Sequence, residues 1–482
     1  MAQIDEIKKA RLDKLEAFKD PYPLSARRTH EIQEVIKGFV KISKLEKEIF
    51  LVGRIRSKRG HGGVMFVDIE DGTGLFQLFF KKDHLGKKKF EEFTKLYDIG
   101  DFIQVRGDLF KTKKKEKSLL VIDFKILSKS LLPLPEKWHG IQDVEDRFRK
   151  RYLDLLFNKE VREKFVLRHK IVQALRDFLI DEGFIEVETP ILQTIYGGAK
   201  ARPFKTKMNA LDLNLYLRIA PELYLKELLV GGFEKVFEIG RNFRNEGMDK
   251  SHNPEFTALE FYWAYADYKD LMNIVERMFS YVVKKVFKTT KIEFQGKTID
   301  FKSPWKRIDF YQLIKKETKI DLAEIHPDAL ARKAKEMGIQ IDKGEGIGEI
   351  ADKIYKKYCR DKIIQPTFLI HHPHSSFPLA KPKDELKLAN VQPIIGGWEM
   401  ANGFSELNDP IIQRERFEEQ EKMLKQGYEE GMKKDENFLE ALEYGMPPAA
   451  GFGLGVDRFV SLLTDSETLR EIILFPTMKP KK

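Results

Sequence analysis

The sequence predicts an α+β protein in two parts: a five-stranded β-barrel, then a mostly antiparallel sheet with flanking helices. Three observations carry this expectation. Between residues 49 and 128, short runs of alternating apolar and polar residues are separated by turn residues. Beyond about residue 150 a long amphipathic helical stretch is followed by further strand-like runs. The charge is also unevenly divided: residues 1–150 contain 33 Lys and Arg against 24 Asp and Glu, while the remainder contains 53 against 52. A basic module at the N-terminal end suits a polyanion such as nucleic acid. A solvated lysine-rich surface, as in "KTKKKEK" (111–117), explains the same charge equally well.

With 482 residues, 42% of them hydrophobic and 34% charged, the chain can bury a large core. No apolar run approaches the roughly 20 residues of a membrane helix. The opening "MAQIDEIKKARLDKLEAF" has no signal-peptide apolar block, so a cytoplasmic protein without a membrane is expected. Cys359 is the single cysteine, which excludes an internal disulfide, a cysteine-based zinc site and a thiol relay.

In chain order, Ile4, Ile7, Leu12, Leu15 and Phe18 recur at helical spacing among charges and predict an amphipathic helix. "IFLVGRIRSKRG", "GVMFVDIEDGTG" and "LFQLFFKK" predict three strands, "KKKFEEFTKLY" a helix, and "DFIQVRGDLF" and "SLLVIDFKIL" two more strands. That order matches the barrel of the oligonucleotide-binding (OB) fold. These elements make a domain over 1–130. "LLPLPEKWHG" breaks the periodicity with two prolines and begins a linker over 131–150. A second domain, 151–482, starts with the helical "VREKFVLRHKIVQALRDFLIDEG", which Gly183 punctuates; a strand from Phe184 to Val187 ends before Pro190. Strands follow at "LNLYLRIA", "VFEIGRNFR", "FTALEFYWAY" and "PIIGGWEMANGFSEL", and a charged helical insertion at about 308–365.

Three segments concentrate the chemistry. "GFGLGVDR" (451–458) has glycines at alternate positions ahead of Asp457 and Arg458, but neither the dinucleotide G-x-G-x-x-G spacing nor a Walker loop. It reads as a glycine-rich strand entering a helix, where a flat ring or phosphate can approach the backbone and Arg458 can neutralise a phosphate. "FEIGRNFRNEGMDKSHNPEFTALEFYWAY" (237–265) carries Arg241, Arg244, Glu246, His252, Glu255 and Glu260 on strand-like runs, with Phe256 and Tyr262 between the charges. Alternation places Arg244 and Glu246 on one face and suggests a polar pocket on a sheet. "GGWEMANGFSELNDP" (397–410) adds Glu399 and Glu406.

Taken in order, "DEGFIEVETPIL", "FRNEG…HNPEF" and "GFGLGVDR" resemble the three signature motifs of class II aminoacyl-tRNA synthetases. "APELYLK" (220–226), "ANGFSELNDP" and the barrel bring the resemblance close to the bacterial lysine-specific family, from about residue 45 to the end. The resemblance implies ATP-dependent attachment of L-lysine to tRNA(Lys) through a lysyl-adenylate, by a homodimer joined through the helix before Gly183 and the strand ending at Pro190. It implies catalytic roles for Arg244 and Arg458. It implies ATP contacts for Arg244, Asn245, Glu246, His252, Asn253, Phe256, Glu399, Gly453, Gly455, Asp457 and Arg458, with Gly451 also under the nucleotide. For the amino acid it implies Gly198, Glu222, Arg244, Glu260, Tyr262, Asn402, Phe404 and Glu406. Mg²⁺ is implied at Glu399 and Glu406; at Gln392 this chain departs from the glutamate usual in the family, and an amide oxygen brings no charge. Phe66 and Gln77 resemble the pair that stacks on and hydrogen-bonds the central anticodon uridine, although Phe66 by itself reads as a core residue.

Aspartyl- and asparaginyl-tRNA synthetases share the barrel and the three motifs, but Glu406 would repel or fail to serve a carboxylate or amide side chain. A tRNA-independent protein lysylase typically lacks the barrel predicted here. A non-catalytic RNA-binding relative would be expected to lose the ATP arginines, and Arg244 and Arg458 are both present.

Overall fold

The computed structural model describes residues 2–45, 48–135, 143–342, 345–425 and 431–481. The chain divides into two compact units, 1–140 and 141–482. Among the described residues no helix is long and apolar enough to cross a membrane.

In the first unit, helices α1 (Ala2–Leu15) and α2 (Ile32–Leu45) precede β1 (Ile49–His61), β2 (Val64–Glu70) and β3 (Leu75–Lys81); α3 (Lys87–Leu96), β4 (Phe102–Lys111) and β5 (Lys117–Ser128) follow. The strands close into a barrel in the order β1-β2-β3-β5-β4, so no long edge is left unpaired. Strict alternation sends Met65, Val67 and Ile69 of β2 and Phe76, Leu78 and Phe80 of β3 inward. Helix α3 adds Phe93, stacked on Phe80 with ring centroids 4.1 Å apart. Helix α2 is absent from the sequence expectations. It buries Ile32, Val35 and Phe39 at helical spacing against the barrel, and the Ile32 N–H is accepted by Asp71 Oδ2 at 3.0 Å.

The segment expected as a linker includes residues 136–142, which lie outside the described residues. Part of the remainder is ordered as helix: the Asp143 side chain accepts from the Asp146 N–H and caps Val144–Arg149.

The second unit is built on a nine-stranded sheet. Helix α4 (Lys159–Asp181) ends at Gly183, whose φ of 85° turns the chain into β6 (Ile185–Glu186). Helix α5 (Glu222–Val230) leads to β7 (Lys235–Phe243) and β8 (Glu255–Ala264), joined by a polar loop, and α6 (Tyr268–Phe287) follows. The remaining strands are β9 (Lys306–Asp309), β10 (Thr367–Ile370), β11 (Asn390–Ile395), β12 (Trp398–Glu399), β13 (Ala401–Ser405) and β14 (Ala449–Gly455), which runs into α7 (Val456–Leu463). Their order is β9-β10-β11-β13-β14-β8-β7-β6, with β12 paired to β11. Only β9–β10 and β7–β6 pair in parallel. Helices α4 and α6 cover one face, burying Leu175, Leu179, Val275, Phe279 and Val282 against Phe261, Phe452 and Leu454. The insertion expected at 308–365 forms helices Phe310–Thr318, Pro327–Glu336 and Ile347–Tyr358 between β9 and β10, with its own apolar cluster around Ile314, Ile350 and Leu369.

Candidate active site

The face of the sheet opposite α4 and α6 carries a cavity of about 330 Å³, floored by β8, β13 and β14. Three neighbouring strands supply its polar groups in register: Glu260 of β8 lies opposite Gly453 of β14, and Gly453 in turn lies opposite Asn402 of β13. Glycines on the middle strand keep the floor flat, so carboxylates from its neighbours can converge above it.

One end of the cavity is acidic. Glu222 and Glu260 line it there, with Tyr262 donating to Glu260 Oε2 at 3.3 Å; Glu406 is buried next to Gly451 and Tyr262 without itself lining the cavity. Gly198 adopts φ 83°, and a Cβ on it would lie 2.9 Å from that of Glu222, so only glycine lets the loop come this close. A Cβ on Gly451 would sit 2.1 Å from Glu406 Oε1 and 2.4 Å from the Tyr262 ring. The glycine expected under the nucleotide therefore makes room for the carboxylate and the phenol. Burial, and secondly Glu222, pushes Glu260 up to about 8, opposed by Arg244. Burial also raises Glu222 and Glu406, with Lys226 working against it. Carboxylates held out of water with so little compensation favour a cationic ligand.

The other end is basic and aromatic. Arg244 follows β7; its backbone N–H donates to Pro254 O at 2.8 Å, and its guanidinium lies 5.0 Å from the centre of the Phe256 ring on β8. Arg458, in the first turn of α7, bonds His252 Nε2 at 2.9 Å and the Glu399 carbonyl at 3.2 Å, while Asp249 holds His252 Nδ1. Glu246, Asn253 and Gly455 line the same region. Cationic groups around an aromatic face suit a nucleotide, its base against the ring and its phosphates against the guanidinium groups.

The buried polar atoms Arg244 Nε, Asn242 Oδ1, Asn402 Oδ1 and Glu406 Oε1 have no hydrogen-bond partner within the protein. The first three belong to residues that line the cavity, and unpaired buried groups at such density mark a site built for a polar ligand.

Of the expected site residues, Gly198, Glu222, Arg244, Glu246, His252, Asn253, Phe256, Glu260, Tyr262, Glu399, Asn402, Phe404, Gly453, Gly455, Asp457 and Arg458 all line this one cavity. Asn245 does not; its side chain is exposed and its backbone N–H is accepted by Arg202 O at 2.8 Å. Asp457 is in addition held by structural partners: its carboxylate takes Arg168 of α4 at 2.6 Å and the Thr257 N–H of β8 at 3.0 Å. Glu406, expected also at a metal, instead gives its carboxylate to Lys226. Among the described residues no group of three or more His, Cys, Asp or Glu is placed to hold a metal ion. Glu399 offers one carboxylate to the cavity, which fits an Mg²⁺ shared with phosphate oxygens, since this ion takes few protein carboxylates and keeps other ligands. Gln392 is buried in β11 opposite Leu369 and does not line the cavity.

Sequence reading missed Lys226, Asn242 and Arg168. The signal for Lys226 was present: Glu222 and Lys226 are four residues apart, the spacing that brings helical side chains together. Asn242 and Arg168 had no local signal.

In the first unit, Phe66 and Gln77 alternate with the buried residues of β2 and β3 and so stand on the outer face of the barrel, which removes the core reading of Phe66. Phe66 packs on Phe79 with ring centroids 4.9 Å apart, and Gln77 Oε1 accepts from Ser118 at 2.9 Å. Arg59 lies opposite Phe66 in the ladder. An outward aromatic pair beside an amide and an arginine has the chemistry that stacking on single-stranded nucleic acid requires.

Two consequences for stability follow. Glu260 is protonated in the fold at pH values where the unfolded chain is ionised, so its burial costs stability progressively as pH rises from the ordinary 4.5 to about 8. Glu260→Gln should therefore raise the unfolding free energy of the substrate-free protein more at pH 8 than at pH 5, by at most about 4 kcal/mol, read from denaturant unfolding at the two pH values; an equal increment at both values would contradict this. Gly451→Ala should lower stability by about 1–3 kcal/mol through overpacking, read as a lower denaturant midpoint at constant slope.

The comparison with known proteins agrees with this geometry. The family model described as tRNA synthetases class II (D, K and N) matches residues 143–479, and that of the OB-fold nucleic acid binding domain matches residues 49–127. The chain is 49% identical to a lysine–tRNA ligase of Carboxydothermus hydrogenoformans, over 99% of each chain. It is 49% identical to that of Pelotomaculum thermopropionicum, over 99% of this chain and 96% of the relative, and 47% identical to that of Clostridium perfringens, over 100% and 97%. With both units matched in order and full-length relatives at nearly half identity, the chain belongs to the lysine–tRNA ligase family of class II tRNA synthetases.

Proposed function

We propose that the protein activates L-lysine with ATP and transfers the lysyl group to tRNA(Lys), a cytoplasmic reaction. The observation that carries this reading is the acidic end of the cavity, where Glu222, Glu260 and Glu406 are buried together. Such a pocket welcomes ammonium groups and repels the aspartate side chain.

In the first step an oxygen of the lysine carboxylate attacks the α-phosphorus of ATP and pyrophosphate leaves. Arg244 spans both reactants, its guanidinium between the acidic end and the Phe256 ring. Phe256 takes one face of the adenine, and Arg458, tethered by His252 and the Glu399 carbonyl, meets the other face and the terminal phosphate. Glu246 and Asn253 orient the nucleotide, and the backbone of Gly453 and Gly455 lets it lie close to the floor. Glu222 and the Gly198 carbonyl take the α-ammonium; Glu406, Tyr262, Glu260, Asn402 and Phe404 enclose the side chain. Glu399 would hold a Mg²⁺ ion, which when bound would supply further neutralisation of phosphate charge. Catalysis here is positioning and charge stabilisation. In the second step a terminal ribose hydroxyl of the tRNA attacks the lysyl carbonyl and AMP leaves.

We further propose that the barrel face at Phe66 and Gln77 binds the anticodon, and that the enzyme is a homodimer. Ile185, on the strand Ile185–Glu186, and Ile191 and Leu192, just after Pro190, are exposed apolar side chains, which supports a self-complementary interface there. A mass in solution of one chain at micromolar concentration, with full activity, would refute the dimer.

Lysine-dependent pyrophosphate exchange, with aspartate as the comparison, tests the reading as a whole. Glu406→Gln should reduce lysine activation by at least about a hundredfold, because removing one partner leaves the other charge buried alone. It should also narrow the preference for lysine over norleucine, which lacks the second ammonium. Loss towards both with an unchanged ratio would remove Glu406 from specificity. Phe66→Ala should weaken tRNA charging about ten- to a hundredfold, the value of one stacked base, while leaving pyrophosphate exchange intact, since Phe66 belongs to the other unit. An equal fall in both activities would show a structural role.

A further inference from the structure

Lys226 is fully buried and does not line the cavity, but it is paired with Glu222, which does, and no step above uses it. It sits one helical turn beyond Glu222 on α5, and its Nζ lies 2.6 Å from Glu222 Oε1. The same nitrogen contacts Oε2 of Glu406, a residue whose backbone is fixed far away in sequence by a hydrogen bond from its N–H to Ala449 O at 2.8 Å. The rings of Phe404 and Phe438 lie 5.5 and 5.9 Å from Nζ, so its remaining side is apolar. One ammonium thus holds one oxygen of each carboxylate. Glu406 Oε1 is left without a hydrogen-bond partner, beside Gly451 and Tyr262 of the cavity wall.

This arrangement has two consequences. Glu222 and Glu406 share the single Lys226 ammonium, so when both are ionised this group of three carries one net negative charge, and a ligand ammonium brings the positive charge that offsets it. Without Lys226 the excess would double. The second consequence is geometric. Because both carboxylates are clamped at the same nitrogen, the separation of their other oxygens is set by a single side chain and not by two independent rotamers.

We infer that Lys226 is a positioning residue that sets the spacing of the two ammonium sites, and so the preference for a diamino acid of lysine's length over one a methylene shorter. The inference rests on the proposed reading of the cavity as the lysine site and deepens it: an internal lysine acts as the gauge for the substrate lysine.

The test is pyrophosphate exchange by the full-length protein with lysine and with ornithine. Lys226→Met preserves approximate volume and removes the charge. It should raise the KM for lysine about a hundredfold with kcat far less affected, keep the KM for ATP within about twofold, and lower the lysine-to-ornithine ratio of kcat/KM about tenfold. In Lys226→Ala, n-butylammonium should restore lysine activation and n-butanol should not. Lys226→Arg retains the charge but displaces the donors, and serves if the neutral variants do not melt cooperatively; its length preference should also fall. Rescue by butanol equal to that by butylammonium, or a parental lysine KM and ornithine ratio in folded Lys226→Met or Lys226→Arg, overturns the inference. A parent enzyme that does not activate lysine overturns instead the reading on which it rests.

Discussion

Three carboxylates buried at one end of a cavity, with Lys226 as the ammonium among them, are the constraint around which the catalytic unit is arranged. A single unpaired buried charge is costly, and three in contact would drive water or protons into the core. The fold meets this by drawing the carboxylates from separate elements, Glu222 from α5, Glu260 from β8 and Glu406 from just beyond β13, so that each approaches from its own side. Burial still works against the Lys226 ammonium, and Glu222 and Glu406 outweigh it, keeping the group charged. The remaining imbalance is what makes the site a receptor for cations.

That arrangement needs a floor without side chains, and β14 provides it. Its central position between β13 and β8 sets Gly453 between Asn402 and Glu260, and Gly451 between Phe404 and Tyr262. The strand must also be held at its helical end, where a charge cluster ties it down. Asp457 takes Arg168 from α4 and the backbone of Thr257 from β8, so one carboxylate joins three segments that are distant in sequence. A second buried pair, Arg218 with Glu238 at 2.5 Å, braces β7 and fills the space where a Cβ on Gly240 would fall. These ties hold β7, which Arg244 follows, and the start of α7, which carries Arg458, and so place the backbone of both arginines before any substrate is bound.

The barrel unit solves a different problem with the same alternation. Its inward residues close an apolar core, and closure satisfies the strand edges, leaving the outward residues of β2 and β3 available for recognition. Phe66 and Gln77 belong to that outward set. Their side chains, an aromatic ring and an amide, are held on a rigid ladder, a more precise mounting than a loop would give.

The strand-helix order of the barrel, the insertion and the three chemical segments were all legible in the chain, because period-two and helical patterns and glycine spacing are local properties. So was the membership of most cavity residues, through the motif segments and the blocks around "APELYLK" and "ANGFSELNDP". Helix α2 was not read, since its amphipathic face gains its meaning only against the barrel end that it covers. Nor was the division of labour among similar side chains. Asp457 also ties α4 to the sheet through Arg168, Gly451 also makes room for Glu406, and Lys226, one of many helical lysines in the sequence, sits between two carboxylates. Local sequence determined which residues could do chemistry and roughly where. Which charge met which was decided only by tertiary structure, because pairing at the sheet face depends on register and burial between segments as much as 289 positions apart, the distance from Arg168 to Asp457.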